Sequence, residues 1–271
     1  MPEGPPPEPA VQRLRLRYAK RGRLRFSSHR DFQRAFERAV RRAAVPMAYS
    51  AGFTPHPRIS YANAAPTGAA SEAEYLEIAV TRRCDPDSLR VAVDEALPPG
   101  LDVLEVVEAG PGSLADRLAG SFWQLEVPGA DPVAVSAAVA RFLAAERVDV
   151  QRLTKSGMRT FDTRYAVVRL DLLRSEFRTG PGTSAGPAGV VNQSSAGAAQ
   201  GEPGCCAILQ LVVRHTTPAV RPDDVLAGLR SQVHLAPLSP PRMTRLAQGP
   251  LDEENGTVAD PLAADRNAIG A

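Results

Sequence analysis

The sequence predicts an α+β fold made of two tandem ferredoxin-like units, each a split βαβ arrangement, with a low-complexity insert in the second. Three observations carry that reading. Period-two apolar runs, which mark strands, are interspersed with period-3.6 stripes, which mark helices. The order strand, helix, strands, helix, strand occurs once before a glycine joint at Gly110 and Gly112 and again after it. The chain, at 271 residues and 44% apolar, is also long enough for two small cores.

Residues 1–10 are proline-rich and read as disordered. The next segment, 13–26, alternates strictly. Leu14, Leu16, Tyr18, Leu24 and Phe26 form one face, and Arg13, Arg15, Arg17, Arg23 and Arg25 form the other. This predicts a hairpin turning at Lys20-Arg21-Gly22, with five arginines pointing outward. Ser28, three residues before Asp31, has capping-box spacing. The stripe Phe32, Ala35, Phe36, Ala39, Val40, Ala43 then marks an amphipathic helix that Pro46 ends. Residues 47–68 read as strand and loop stiffened by prolines. A strand at 73–80, a helix at 85–97 with Pro86 in its first turn, and a strand at 101–107 complete a first unit over 11–112.

The second unit spans 118–248. A strand at 121–127 leads to a helix opened by Asp131-Pro132, with Val135, Ala138, Val139, Phe142 and Leu143 on one face. Strands follow at 148–154 and 165–173. Gly, Ser, Ala and Pro fill 19 of the 30 positions in 175–204, too little apolar surface to order a segment, which predicts a flexible insert. A buried strand at 206–213, a helix at 222–233 and a short strand at 242–247 finish the unit. Residues 249–271 read as a disordered tail.

Charge is unevenly distributed. Twelve arginines and lysines stand against Asp31 and Glu37 between Val11 and Arg42, a local charge of +10 in a chain of net charge +2. Such a basic end attracts polyanions. The arginines of 13–25 together with Arg30, Arg34, Arg38, Arg41 and Arg42 on the helix are candidate phosphate-binding residues, because the planar guanidinium matches phosphate oxygens. Arg58, Lys155 and Arg159 are candidate extensions of that surface. No outward aromatic accompanies the arginine face for base stacking, and no DNA-binding motif is seen.

Three cysteines, Cys84, Cys205 and Cys206, make neither a disulfide framework nor a metal-ligand spacing. No metal or cofactor is therefore expected, and neither phosphate-loop glycine pattern occurs. No apolar run approaches the ~18 residues of a membrane span, and residues 1–10 lack the pattern of a secretory signal, so the cytoplasm is the expected compartment. His29 and His56 are the candidate catalytic residues. Histidine suits either proton transfer of a metal-independent ribonuclease, and Arg30 and Lys155 would supply cations. The plainer reading is a helix-start histidine and a loop histidine fixed by Pro55 and Pro57. Glu72, Glu74 and Glu77 read as a solvated acidic strand face.

The run FSSHRDFQRAFERAVRRAAVPMAYSAGFTPHPRISYANAAPTGAASEAEYLEI closely resembles the bacterial radical SAM-linked proteins. KSGMRTFDTR, at 155–164, looks like that family's second-half signature. The family is a conserved domain of unknown function, found alone or fused to cobalamin-binding radical SAM proteins. The resemblance covers most of residues 13–246 apart from the insert. It implies a radical SAM enzyme as partner and no catalytic residues. The expected architecture is also similar, at the level of fold alone, to tandem ferredoxin-like RNA-processing proteins of CRISPR systems.

The function these readings lead to is a non-enzymatic accessory protein, linked to radical SAM or RNA-processing machinery. It would bind RNA or a ribonucleoprotein through its arginine face. The alternatives are a metal-independent endoribonuclease using His29 or His56, and a protein–protein adaptor for a radical SAM enzyme.

Overall fold

The computed structural model describes residues 7–154, 157–177, 205–233 and 239–269. Residues 1–6, Lys155 and most of the 175–204 insert lie outside them. The chain is mixed α+β, with a mostly antiparallel sheet and six helices among the described residues. It divides into two compact units, residues 1–122 with 244–271, and residues 123–243. The boundary differs from the expected one because the last long strand belongs mainly with the first unit. No helix among the described residues is long and apolar enough to cross a membrane.

The first unit opens with β1 (Gln12–Lys20), followed by α1 (His29–Arg42), β2 (Ile59–Ala62), β3 (Ala70–Val80), α2 (Pro86–Ala96), β4 (Leu101–Glu108) and the short α3 (Leu114–Arg117). Its sheet runs β4-β1-β3, and β2 also pairs with β3; all three pairings are antiparallel. One face of this sheet carries Leu14, Leu16, Tyr18, Leu76 and Ile78 and packs under Phe32, Phe36 and Val40 of α1 and Leu89 and Val93 of α2. Tyr18 stacks on Phe32 with ring centroids 4.3 Å apart. Deleting a core aromatic such as Phe36 costs about 3–5 kcal/mol, so this layer fixes α1 firmly.

The expected hairpin does not form. Gly22–Phe26 is a 3-10 helix, entered through Gly22 at φ +55°. Both edges of β1 are taken by distant strands, β3 and β4, so residues 22–26 have no free edge to pair with. The outward arginine face of β1 fails as well, because the sheet is covered on both faces. The second face of the sheet is also covered: Ala73, Tyr75 and Val107 pack against Leu114, Leu118 and Leu262. Arg15 lies on that face and is fully buried.

The second unit takes in most of β5 (Gly120–Pro128), then α4 (Pro132–Ala144), β6 (Asp149–Thr154), β7 (Gly157–Asp162), β8 (Val167–Phe177), β9 (Cys205–Arg214) and α5 (Pro222–Gln232). Strands β5-β9-β8 lie side by side, with β8 and β9 antiparallel, while β6 and β7 form a separate hairpin. Asp131 caps α4 by accepting from the Val133 and Ala134 N–H groups at 3.0 and 3.3 Å. Gly228 of α5 permits close packing, since a Cβ there would lie 2.9 Å from Phe142 of α4. Arg152 of β6 donates to Asp224 of α5 at 2.7 Å, which anchors the hairpin.

The chain then forms β10 (Arg242–Gly249), β11 (Leu251–Asp252), β12 (Thr257–Val258) and α6 (Ala263–Ile269). Thr244 and Arg245 of β10 pair in parallel with Ala70 and Ser71 of β3. The tail expected to be disordered is thus folded from Gly249 to Ile269, and Leu262 and Asp265 are fully buried. The reason is electrostatic as well as apolar: Asp265 is the buried partner of Arg15.

Candidate nucleic-acid interface

The sequence of α1 determines its orientation. Ser28 Oγ accepts from the Asp31 N–H at 3.2 Å and Asp31 Oδ2 accepts from the Ser28 N–H at 3.2 Å, a reciprocal cap at the helix start. The Ser28 hydroxyl, donating to Asp31 Oδ2 at 2.6 Å, and then the Ser28 N–H hold the Asp31 carboxyl below its ordinary range. Phe32, Phe36, Ala39 and Val40 face the core. Arg30, Arg34, Arg38, Arg41 and Arg42 are consequently exposed. Arg30, Arg34, Arg38 and Arg41 recur at intervals of four, four and three, one side of a helix over about 16 Å. None of those four forms an ion pair among the described residues, whereas Arg42 donates to the Ala96 carbonyl at 3.3 Å. Four unpaired cations in one row make a surface suited to a string of phosphates.

The other predicted arginines divide clearly. Arg15 donates to Glu77 at 2.9 Å, to both oxygens of Asp265 at 2.8 and 2.9 Å and to the Gly112 carbonyl at 2.5 Å, so no phosphate can reach it. Arg17 is half-buried and donates to the Glu72 carbonyl at 2.9 Å. Arg13 is exposed beside Glu77 at 3.5 Å. Arg23 is exposed, and Arg25 lies over the Phe26 ring at 4.6 Å. Arg58 is exposed on the turn before β2, and Arg159 is exposed on β7 of the second unit. Lys155 lies outside the described residues.

The acidic strand face is not solvated. Glu72 pairs with Arg21, Glu77 with Arg13 and Arg15, and Glu74, 2% exposed, with Arg245. Glu74 also accepts from the Ala65 N–H at 3.0 Å. Beside this pair Lys20 is buried, bonded to the Ala65 and Pro66 carbonyls at 3.3 and 3.4 Å. Burial pushes the Lys20 ammonium down from its ordinary value, partly offset by the Glu74 charge. Tyr18, Ser27, Ser28 and His29 line a cavity of about 10 Å³ next to it, room for no more than a water-sized group.

His29 is exposed, its Nε2 3.1 Å from Gln33 Nε2 and its ring edge-on to Tyr61 at 5.1 Å. His56 is exposed and its backbone N–H donates to Ser50 Oγ at 3.1 Å. No hydrogen bond or ring contact joins the two histidines. Among the described residues no three His, Cys, Asp or Glu side chains gather as a metal site would require.

Sequence reasoning missed the aromatics. Phe26, Tyr49 and Phe53 are 60%, 43% and 88% exposed. Phe26 escapes the pattern because its segment coils instead of pairing, and Phe53 stands on the loop closed by the Tyr49–Pro57 bridge. A groove of about 260 Å³ lies between the C-terminal half of α1 and this loop, with Glu37, Arg41, Tyr49 and Arg82 among its walls. The search of curated proteins finds no match. Residues 13–222 match the model of a family described as uncharacterized proteins conserved in bacteria, DUF2344, and the chain belongs to that family.

Proposed function

We propose that the protein binds single-stranded RNA, free or within a ribonucleoprotein, through the exposed face of α1, and acts as a non-enzymatic accessory factor beside a radical SAM enzyme. The observation that carries the RNA reading is the row Arg30, Arg34, Arg38 and Arg41, exposed and without ion pairs among the described residues. Cations left unpaired by the fold keep their full charge for phosphates. Exposed Phe26, Tyr49 and Phe53 add faces on which unpaired bases stack. The partner enzyme rests on the resemblance to radical SAM-linked proteins.

We also read the first unit as ferredoxin-like. The chain order βαββαβ with the antiparallel strand order β4-β1-β3-β2 supports this. Many folds of this kind bind RNA on the open sheet face. Here that face is packed under Leu114, Leu118 and Leu262, which favours the helix as the binding surface.

The test is a titration of the purified chain against fluorescently labelled unstructured RNA, from low to physiological salt, with the products run on a denaturing gel. Binding that weakens steeply with salt and leaves the RNA intact supports the proposal. Cleaved RNA would replace it with the ribonuclease reading. Absence of binding even at low salt would replace it with the adaptor reading.

A further inference from the structure

Glu37 stands apart from the other carboxylates near the basic helix. Asp31 is engaged by Ser28, and Glu72, Glu74 and Glu77 are each held by an arginine. Glu37 lies one turn from Arg41 on α1, yet no hydrogen bond or ion pair engages its carboxylate among the described residues. It is half-buried and lines the groove of about 260 Å³, below the roughly 300–1,000 Å³ of sites for drug-sized ligands. Apolar Val40 and Met47, the ring-bearing Tyr49 and the guanidinium-bearing Arg41 and Arg82 line the groove with it.

Each wall constrains the occupant. An exposed tyrosine beside the apolar side chains of Val40, Val45 and Met47 suits a planar ring that stacks. The two arginines favour a ring attached to phosphates. A carboxylate only accepts hydrogen bonds, so the ring must offer donors. Among the four RNA bases, guanine alone presents two adjacent donors, N1–H and the 2-amino group, that match both carboxylate oxygens. Adenine and cytosine offer an amino donor beside an acceptor, and uracil offers one imide N–H between two carbonyls that would face the carboxylate.

We propose that this groove holds one unpaired guanine base of the bound RNA, with the Glu37 carboxylate accepting from its Watson–Crick edge, Tyr49 stacking, and Arg41 and Arg82 on the flanking phosphates. The inference rests on the RNA-binding reading above. It gives an otherwise phosphate-directed surface a preference for guanine.

The experiment compares two labelled strands by fluorescence anisotropy, oligouridine and the same oligouridine carrying one central guanosine, at fixed low salt. The unmodified chain binds the guanosine strand on the order of tenfold more tightly, the scale of one bidentate pair. Glu37→Gln brings the ratio close to one while oligouridine binding is retained, which also reports that the variant is folded. Equal affinities for the two strands, or a preference that survives Glu37→Gln, would overturn the guanine site and leave RNA binding standing. Failure of the unmodified chain to bind either strand would overturn both.

Discussion

Replacing Asp265 by Asn tests how the first unit is locked. Its carboxylate is fully buried and accepts from Arg15 at 2.8 and 2.9 Å, from Arg117 at 2.9 Å and from the Gly110 N–H at 2.9 Å. With Glu77 it balances the two guanidiniums, one of them entirely buried. The amide is similar in shape but removes one negative charge and turns an N–H donor toward an arginine donor. A buried charge left uncompensated costs about 3–5 kcal/mol, a large share of the roughly 5–15 kcal/mol that holds a domain folded. With a urea dependence of about 2 kcal/mol per molar, the midpoint falls by about 2 M. The assay is urea unfolding followed by far-UV circular dichroism, because Trp123, the only tryptophan, is in the other unit. A midpoint lowered by less than about 0.5 M would refute the argument that Asp265 is the necessary counter-charge of Arg15. Gly110→Ala places a Cβ 2.8 Å from the same carboxylate oxygen, so the double variant should be less destabilised than the sum of the singles.

Alkali should destabilise the protein well before its arginines lose their charge. Burial pushes the phenol of Tyr18 well up and that of Tyr75 up to about 12, while an unfolded chain ionises its tyrosines near 10. Between about pH 10 and 12 the unfolded state has lost protons the native state keeps, so stability falls as pH rises, by about 1.4 kcal/mol per pH unit for each tyrosine. Lys20 acts in the opposite sense, since its lowered value leaves the unfolded chain protonated longer, but its contribution ends near its unfolded value of about 10.4. Melting temperatures measured across this range should drop, and a flat profile would contradict the burial of both phenols. In the second unit, Gly228→Ala drives a Cβ to 2.9 Å from Phe142 and 3.1 Å from Thr163 and Val148, costing about 1–3 kcal/mol. Tryptophan fluorescence during urea unfolding measures it, and an unchanged midpoint would mean that α4 and α5 yield freely.

Local signals in the sequence were enough for the helices. The Ser28–Asp31 cap, the Phe32–Val40 stripe and the Asp131-Pro132 start all describe contacts within a few residues, and α1 and α4 begin where these place them. Distant contacts were not legible. Period two identifies β1 as a strand but says nothing of its neighbours, and those neighbours, β3 and β4, cover both of its edges. Arg15 looked solvent-facing because its counter-charge, Asp265, is 250 residues away. The same gap hid the fold of the C-terminal segment, whose polar composition resembles a tail until Asp265 and Leu262 find their places. The α1 arginines were legible as a row; the groove beside them was not, because its walls come from residues 37, 41, 49 and 82, which no single periodicity links.

The most direct test of the account is the salt dependence of RNA affinity in the unmodified chain and in the Arg34→Ala, Arg38→Ala double variant. Four phosphate contacts predict that log affinity falls with log salt at a slope of about −2.8, and removal of two arginines should bring it to about −1.4. Identical slopes for the two proteins, or no measurable affinity for RNA at low salt, would contradict the assignment of α1 as the nucleic-acid-binding face.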